Sequence, residues 1–109
     1  MRYLAISYAH LGDIYLSEGK IAKAKEYYEK SLPIFEQLAA ETNTVEVFHD
    51  LALSYYKMSF VCQGDEKREY IQKALNIMNA LCEACPDVAI YRENRDYFQR
   101  RLKRLPESE

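Results

Sequence analysis

Cys82-Glu83-Ala84-Cys85 is the spacing in this chain that most invites reactive chemistry. Two thiols three positions apart could exchange a disulfide or supply half of a zinc site. A redox pair of this kind depends on a helix N-terminus, whose partial positive charge favours the thiolate. Here the pair closes a helical run just before Pro86, where the dipole has the opposite sign. A zinc site needs further ligands, and Cys62, His10 and His49 are scattered along the chain. The cysteines therefore read as small buried apolar side chains, with no metal and no cofactor. No Ser-His-Asp series, phosphate loop or close pair of catalytic carboxylates is present, so no catalytic residue is assigned and no enzyme is expected.

A second candidate is the basic run Arg100-Arg101-x-Lys103-Arg104, with Arg92 and Arg95 upstream. Such a run could contact nucleic acid, yet cations also suit a helix C-terminus and a solvated helix face. Glu93, Asp96, Glu107 and Glu109 partly neutralise it, and the whole chain carries a net charge of -2. Neither nucleic acid nor an anionic membrane is expected as a partner. No apolar stretch approaches the ~20 residues of a membrane span. An odd count of three cysteines does not resemble a secreted disulfide framework, which points to the cytoplasm.

Helices must position these side chains. Apolar residues recur at three- and four-residue spacing: Leu4, Tyr8, Leu11 and Tyr15, then Ile21, Ala24, Tyr28, Leu32, Phe35 and Leu38. The 3 Gly and 3 Pro leave few turns, so the elements are long. The first helix runs from about Arg2 to Glu18 and stops at Gly19, a left-handed cap. The second begins near Lys20 and ends around Ala40. Pro33 lies inside it, at a cost of about 3 kcal/mol, and the apolar residues beyond it predict a kink rather than an end. Asn43-Thr44-Val45-Glu46 reads as a capping box, opening a third helix to about Phe60. A fourth runs from roughly Glu66 to Ala84 and a fifth from Pro86-Asp87 to about Arg104. Pro106-Glu107-Ser108-Glu109 is a frayed tail.

Part of the pattern repeats. Tyr8-x-x-Leu11-Gly12-x-x-Tyr15 returns as Phe48-x-x-Leu51-Ala52-x-x-Tyr55, and Tyr28-x-x-Ser31-Leu32 returns as Ile71-x-x-Ala74-Leu75. Tyr91 and Phe98 stand 43 positions after Phe48 and Tyr55, as the start of a third copy. Gly12 and Ala24 let two helices approach closely, and Tyr8, Leu11, Tyr15 and Tyr28 fill the space around that contact. On these residues the chain resembles a tetratricopeptide repeat protein. Its copies are 40 to 43 positions apart, against about 34 in the standard repeat. That length is similar to the extended repeats of kinesin light chains and bacterial peptide-sensing regulators. Departures include Ala52 for Gly12, Lys67 for Ala24, and a short insertion over Phe60 to Gln63.

The resemblance implies an all-α fold of about five helices, antiparallel pairs stacked as a short right-handed superhelix. It would be a single domain over 1–105: a first repeat 1–40, a second 43–84, and 87–104 as a capping helix or the opening of a third. The function it implies is a non-catalytic protein-protein interaction module or scaffold, holding a partner peptide or helix in a concave groove lined by the first helix of each pair. By matching turns, the groove would comprise Ala9, Asp13 and Leu16, then His49, Asp50, Leu53 and Tyr56, then Arg92, Asp96 and Gln99. Leu53 and Tyr56 would form its floor, with Tyr56 a surface contact. Carboxylates at its edge would favour a segment with apolar anchors and a basic residue. Acidic residues also occupy the places where relatives clamp a chaperone's terminal carboxylate, which argues against that ligand. No cap precedes Arg2, so a homodimer through the open end of the stack is the alternative.

Overall fold

Turn residues in the sequence become helix ends in the computed structural model, which describes residues 1–105. Five helices follow in order: α1 (Arg2–Ser17), α2 (Ile21–Thr42), α3 (Val45–Ser59), α4 (Gly64–Ala84) and α5 (Ala89–Arg104). No strand occurs among the described residues. The expected tail, 106–109, lies outside them. Gly19 takes φ 76° after α1. Its N–H bonds to the Leu16 carbonyl at 3.0 Å and the Lys20 N–H to the Tyr15 carbonyl at 2.9 Å. This double closure satisfies two carbonyls that a helix end leaves free, and it turns the chain directly into α2.

The next junction corrects the sequence reading. Asn43 is not the cap of α3 but the left-handed closing residue of α2, with φ 51° and its N–H on the Ala39 carbonyl. Thr44 is the N-cap, extended, with its side chain accepting from the Val47 N–H. Both residue types suit both tasks, since Asn tolerates the left-handed region and Thr caps well. α2 does not end at Pro33. The proline ring is exposed, while Leu32 and Phe35 beside it are buried, and their burial offsets the lost backbone bond.

Each helix packs mainly on its neighbours in the chain, α1 on α2, α2 on α3, α3 on α4 and α4 on α5. The result is an all-α stack of antiparallel helix pairs. Gly12 allows a close approach within the first pair: a Cβ there would lie 2.5 Å from Cδ1 of Tyr28. Two groups of buried residues follow. One contains Ala24, Tyr28, Phe35, Leu51 and Met58, and the other Ala52, Ile71, Met78, Tyr91 and Phe98. Phe48 and Tyr55 of α3 and Ile77 of α4 touch both groups, so these two helices join them. Val61 and Cys62, part of the apparent insertion, are buried in the first group.

The repeat extends to a detail missed in the sequence. Tyr15 stacks on Tyr27, centroids 5.5 Å apart, with the Lys30 ammonium 5.0 Å from the Tyr27 ring. In the second pair Tyr55 stacks on Tyr70 at 6.1 Å, with Lys73 5.5 Å from the Tyr70 ring.

Candidate functional site

Ile6, Ala9 and His10 of α1 face Asp50, Leu53, Ser54 and Lys57 of α3 across a cleft of about 220 Å³. Phe35 of α2 contributes to its lining. The helical period puts Asp50, Leu53, Ser54 and Lys57 on one face of α3, and Ile6, Ala9 and His10 on one face of α1. Ion pairs tie the two helices together. The Arg2 guanidinium donates to Asp50 Oδ2 at 2.7 Å, and the Lys57 ammonium donates to Asp13 Oδ2 at 3.0 Å. Asp13 also accepts from the Tyr28 hydroxyl at 2.6 Å. Burial, then the Asp13 carboxylate, raises the Tyr28 pKa. The hydrogen bond to Asp50 and its charge raise that of Arg2.

These pairings revise the electrostatics expected of the groove. Asp13 and Asp50 do not edge it as free carboxylates, because each is matched by a cation from the facing helix. Of the other expected residues, Ala9 and Leu53 line the cleft. His49 turns towards α5, where Asn94 Nδ2 lies 2.9 Å from its Nε2 and the Tyr91 ring centroid 5.2 Å from its own. With the Asn94 amide nitrogen as donor, His49 Nε2 is the acceptor of the pair. Burial lowers the His49 pKa, with Asp50 opposing it.

Tyr56 is not the simple surface contact it resembled. Its ring packs edge-on to Phe60 at 4.8 Å and to Tyr97 at 5.6 Å, and against Phe98 at 4.6 Å. Burial and then Tyr97 push its phenol pKa up, with Arg101 acting in the opposite direction. On α5, Arg92 donates to the Pro86 carbonyl and Asp96 is paired with Arg95 at 3.1 Å. The structure thus gathers Asp50 and Leu53 in one cleft with Asp13 at its edge, sets His49 and Tyr56 against α5, and leaves Arg92 and Asp96 on α5 with partners from their own end of the chain. Ile6, His10, Phe35, Ser54 and Lys57, which also line the cleft, were missed. Lys57 lies one helical turn beyond Leu53, a signal the sequence did contain.

Ser54, His10 and Asp50 are residue types of a nucleophilic relay, but no hydrogen bond joins any two of them and Asp50 is engaged by Arg2. Among the described residues, no three His, Cys, Asp or Glu side chains are grouped so as to hold a metal. Cys82 lies in the last turn of α4 and Cys85 is its C-cap. Cys62 donates to Glu66 at 3.0 Å, and burial, then that carboxylate, pushes its thiol up to about 12. A second cleft of about 410 Å³ lies between α3 and α4, lined by Asn43, Val45, Phe48, Asn76, Ile77, Ala80, Leu81 and Ala84. It is larger, but it has no charged group to orient a ligand.

Residues 5–36, α1 and the first part of α2, match the family model for the tetratricopeptide repeat. Those residues carry a tetratricopeptide repeat. Its Gly12–Tyr28 contact is the close approach that the helix pair is built around. Comparison of the chain with curated proteins and with solved structures gives no match. Tetratricopeptide repeats generally act as protein-protein interaction modules. No helix among the described residues is long and apolar enough to cross a membrane.

Proposed function

We propose that this tetratricopeptide repeat chain is a non-catalytic module that holds a segment of a partner protein in the cleft between α1 and α3. The observation that supports it best is the cleft itself: an apolar floor of Ile6, Ala9 and Leu53 between two ion pairs that cross from helix to helix. A concave apolar site with a few placed polar groups is the usual form of a ligand site. The ion pairs fix the spacing of the helices before a partner arrives, which lowers the ordering cost of binding. Asp13, Asp50 and Leu53 belong to this contact. His49 and Tyr56 hold α5 in place, so that Arg92 and Asp96 extend the surface beyond the cleft. Because the carboxylates are already matched, the segment is recognised by an apolar anchor more than by a basic residue.

Selection from a displayed random-peptide library against the immobilised chain tests this. Peptides enriched by the wild type should share an apolar anchor and lose at least tenfold in affinity, about 1.4 kcal/mol, on Leu53→Glu. Equal affinity for both proteins would refute the assignment. A second reading, self-association through the open end of the stack, is favoured by one observation: Tyr3, Leu4, Leu11 and Ile14 of α1 are all exposed.

A further inference from the structure

The repeat supplies its own control for what should cover α1. In the second pair Leu51 is only 6% exposed, and the Tyr55 hydroxyl donates to Glu36 of α2 at 2.8 Å. α2 is the preceding helix packed on α3. Leu11 and Tyr15, 40 positions earlier, have no helix on the corresponding side, and Leu11 is 38% exposed. Near it are Tyr3 at 81%, Ile14 at 53% and Leu4 at 45%. Leu4, Ser7, Leu11 and Ile14 follow the three-four-three spacing of a helix-helix seam, with a small residue near its centre. Arg2 and Asp13, the strong base and the acid of α1, lie on the side that faces α3 and are paired there. The outer face is uncharged.

Building on the self-association reading, we propose that this face of α1 pairs with the same face of a second copy, α1 antiparallel to α1 about a two-fold axis. An uncharged patch is self-complementary, so a two-fold contact brings no like charges together. The exposed parts of Tyr3, Leu4, Leu11 and Ile14 alone amount to on the order of 400 Å², about half of the ~800 Å² each partner gives to a standard interface. The other end of the stack is a poor mate. α5 presents Ile90 and Tyr97 among exposed Glu93, Arg100, Lys103 and Arg104. Burying those charges on an uncharged face would strip their water without giving them partners. Arg95 of α5 also stands 43 positions after Ala52, where the first pair has Gly12, so its bulk blocks the close approach of another helix.

Sedimentation equilibrium of the full chain over a concentration series tests the pairing. The wild type should reach twice its 12.8 kDa mass. A variant carrying Leu11→Glu and Ile14→Glu should stay at the single-chain mass with unchanged helical circular dichroism, and Tyr97→Glu on α5 should remain dimeric. A single-chain mass for the wild type at every concentration would overturn self-association itself and assign the face to another protein. A dimer that survives the α1 variant, or yields to Tyr97→Glu, would keep self-association and overturn the α1 pairing. A mass that grows without limit would do the same, because head-to-tail contacts do not close.

Discussion

Gly12 and Tyr28 show how one methyl group could open the first helix pair. A Cβ at position 12 would fall inside the van der Waals envelope of the Tyr28 ring, and that ring is fixed by its bond to Asp13. Overpacking costs about 1–3 kcal/mol, against a helix-propensity gain of about 1 kcal/mol for Gly to Ala. Gly12→Ala is therefore expected to lower the urea midpoint, and an unchanged or higher midpoint would contradict the packing. His49 sets a pH dependence. Burial lowers its pKa from the usual 6.5, with Asp50 opposing, so the unfolded chain takes this proton more readily than the folded one. Stability should thus fall as pH drops through about 6.5 and level off below the folded pKa. His49→Gln should flatten that part of the melting-temperature profile; the same slope in the variant would exclude His49 as its source. Gly12 and Tyr28 were legible because close helix contacts demand a small residue opposite a large one. The bonds of Asp13 to Lys57 and of Asp50 to Arg2 were not, because they depend on how helices 44 and 48 positions apart come to lie side by side.

At the scale of the element, the junction of α2 and α3 separates two accounts of the same four residues. If Thr44 caps α3, Thr44→Ala should cost about 1 kcal/mol, while Asn43→Gly should be neutral or stabilising at its left-handed φ of 51°. A loss on Asn43→Gly with none on Thr44→Ala, measured by urea denaturation, would restore the box centred on Asn43. Helix number, order and approximate ends were readable from Gly19, Pro86 and the apolar periodicity. The one-residue shift at Asn43 was not, because Asn and Thr carry overlapping local preferences. Pro33 is the other local conflict. It lies exposed in a helix that continues past it, so Pro33→Ala should stabilise the chain by up to about 3 kcal/mol. A drop in melting temperature would mean that the proline serves a purpose the packing does not explain.

For the whole molecule, the repeat made the stack legible and the cleft only in part. Matching turns found Ala9, Asp50 and Leu53 because the helical period alone puts them on the inner faces of α1 and α3. It misplaced Tyr56, whose ring is claimed by Tyr97 and Phe98 of a helix some forty residues further on. The central claim is that the α1–α3 cleft receives a partner segment and the larger apolar cleft between α3 and α4 does not. Methyl NMR during titration with a library-selected peptide compares the two directly. The methyls of Ile6, Ala9 and Leu53 should shift in a saturable way while those of Val45, Ile77 and Leu81 stay in place. Saturable shifts at Val45, Ile77 and Leu81, with Ile6, Ala9 and Leu53 unmoved, would contradict the account.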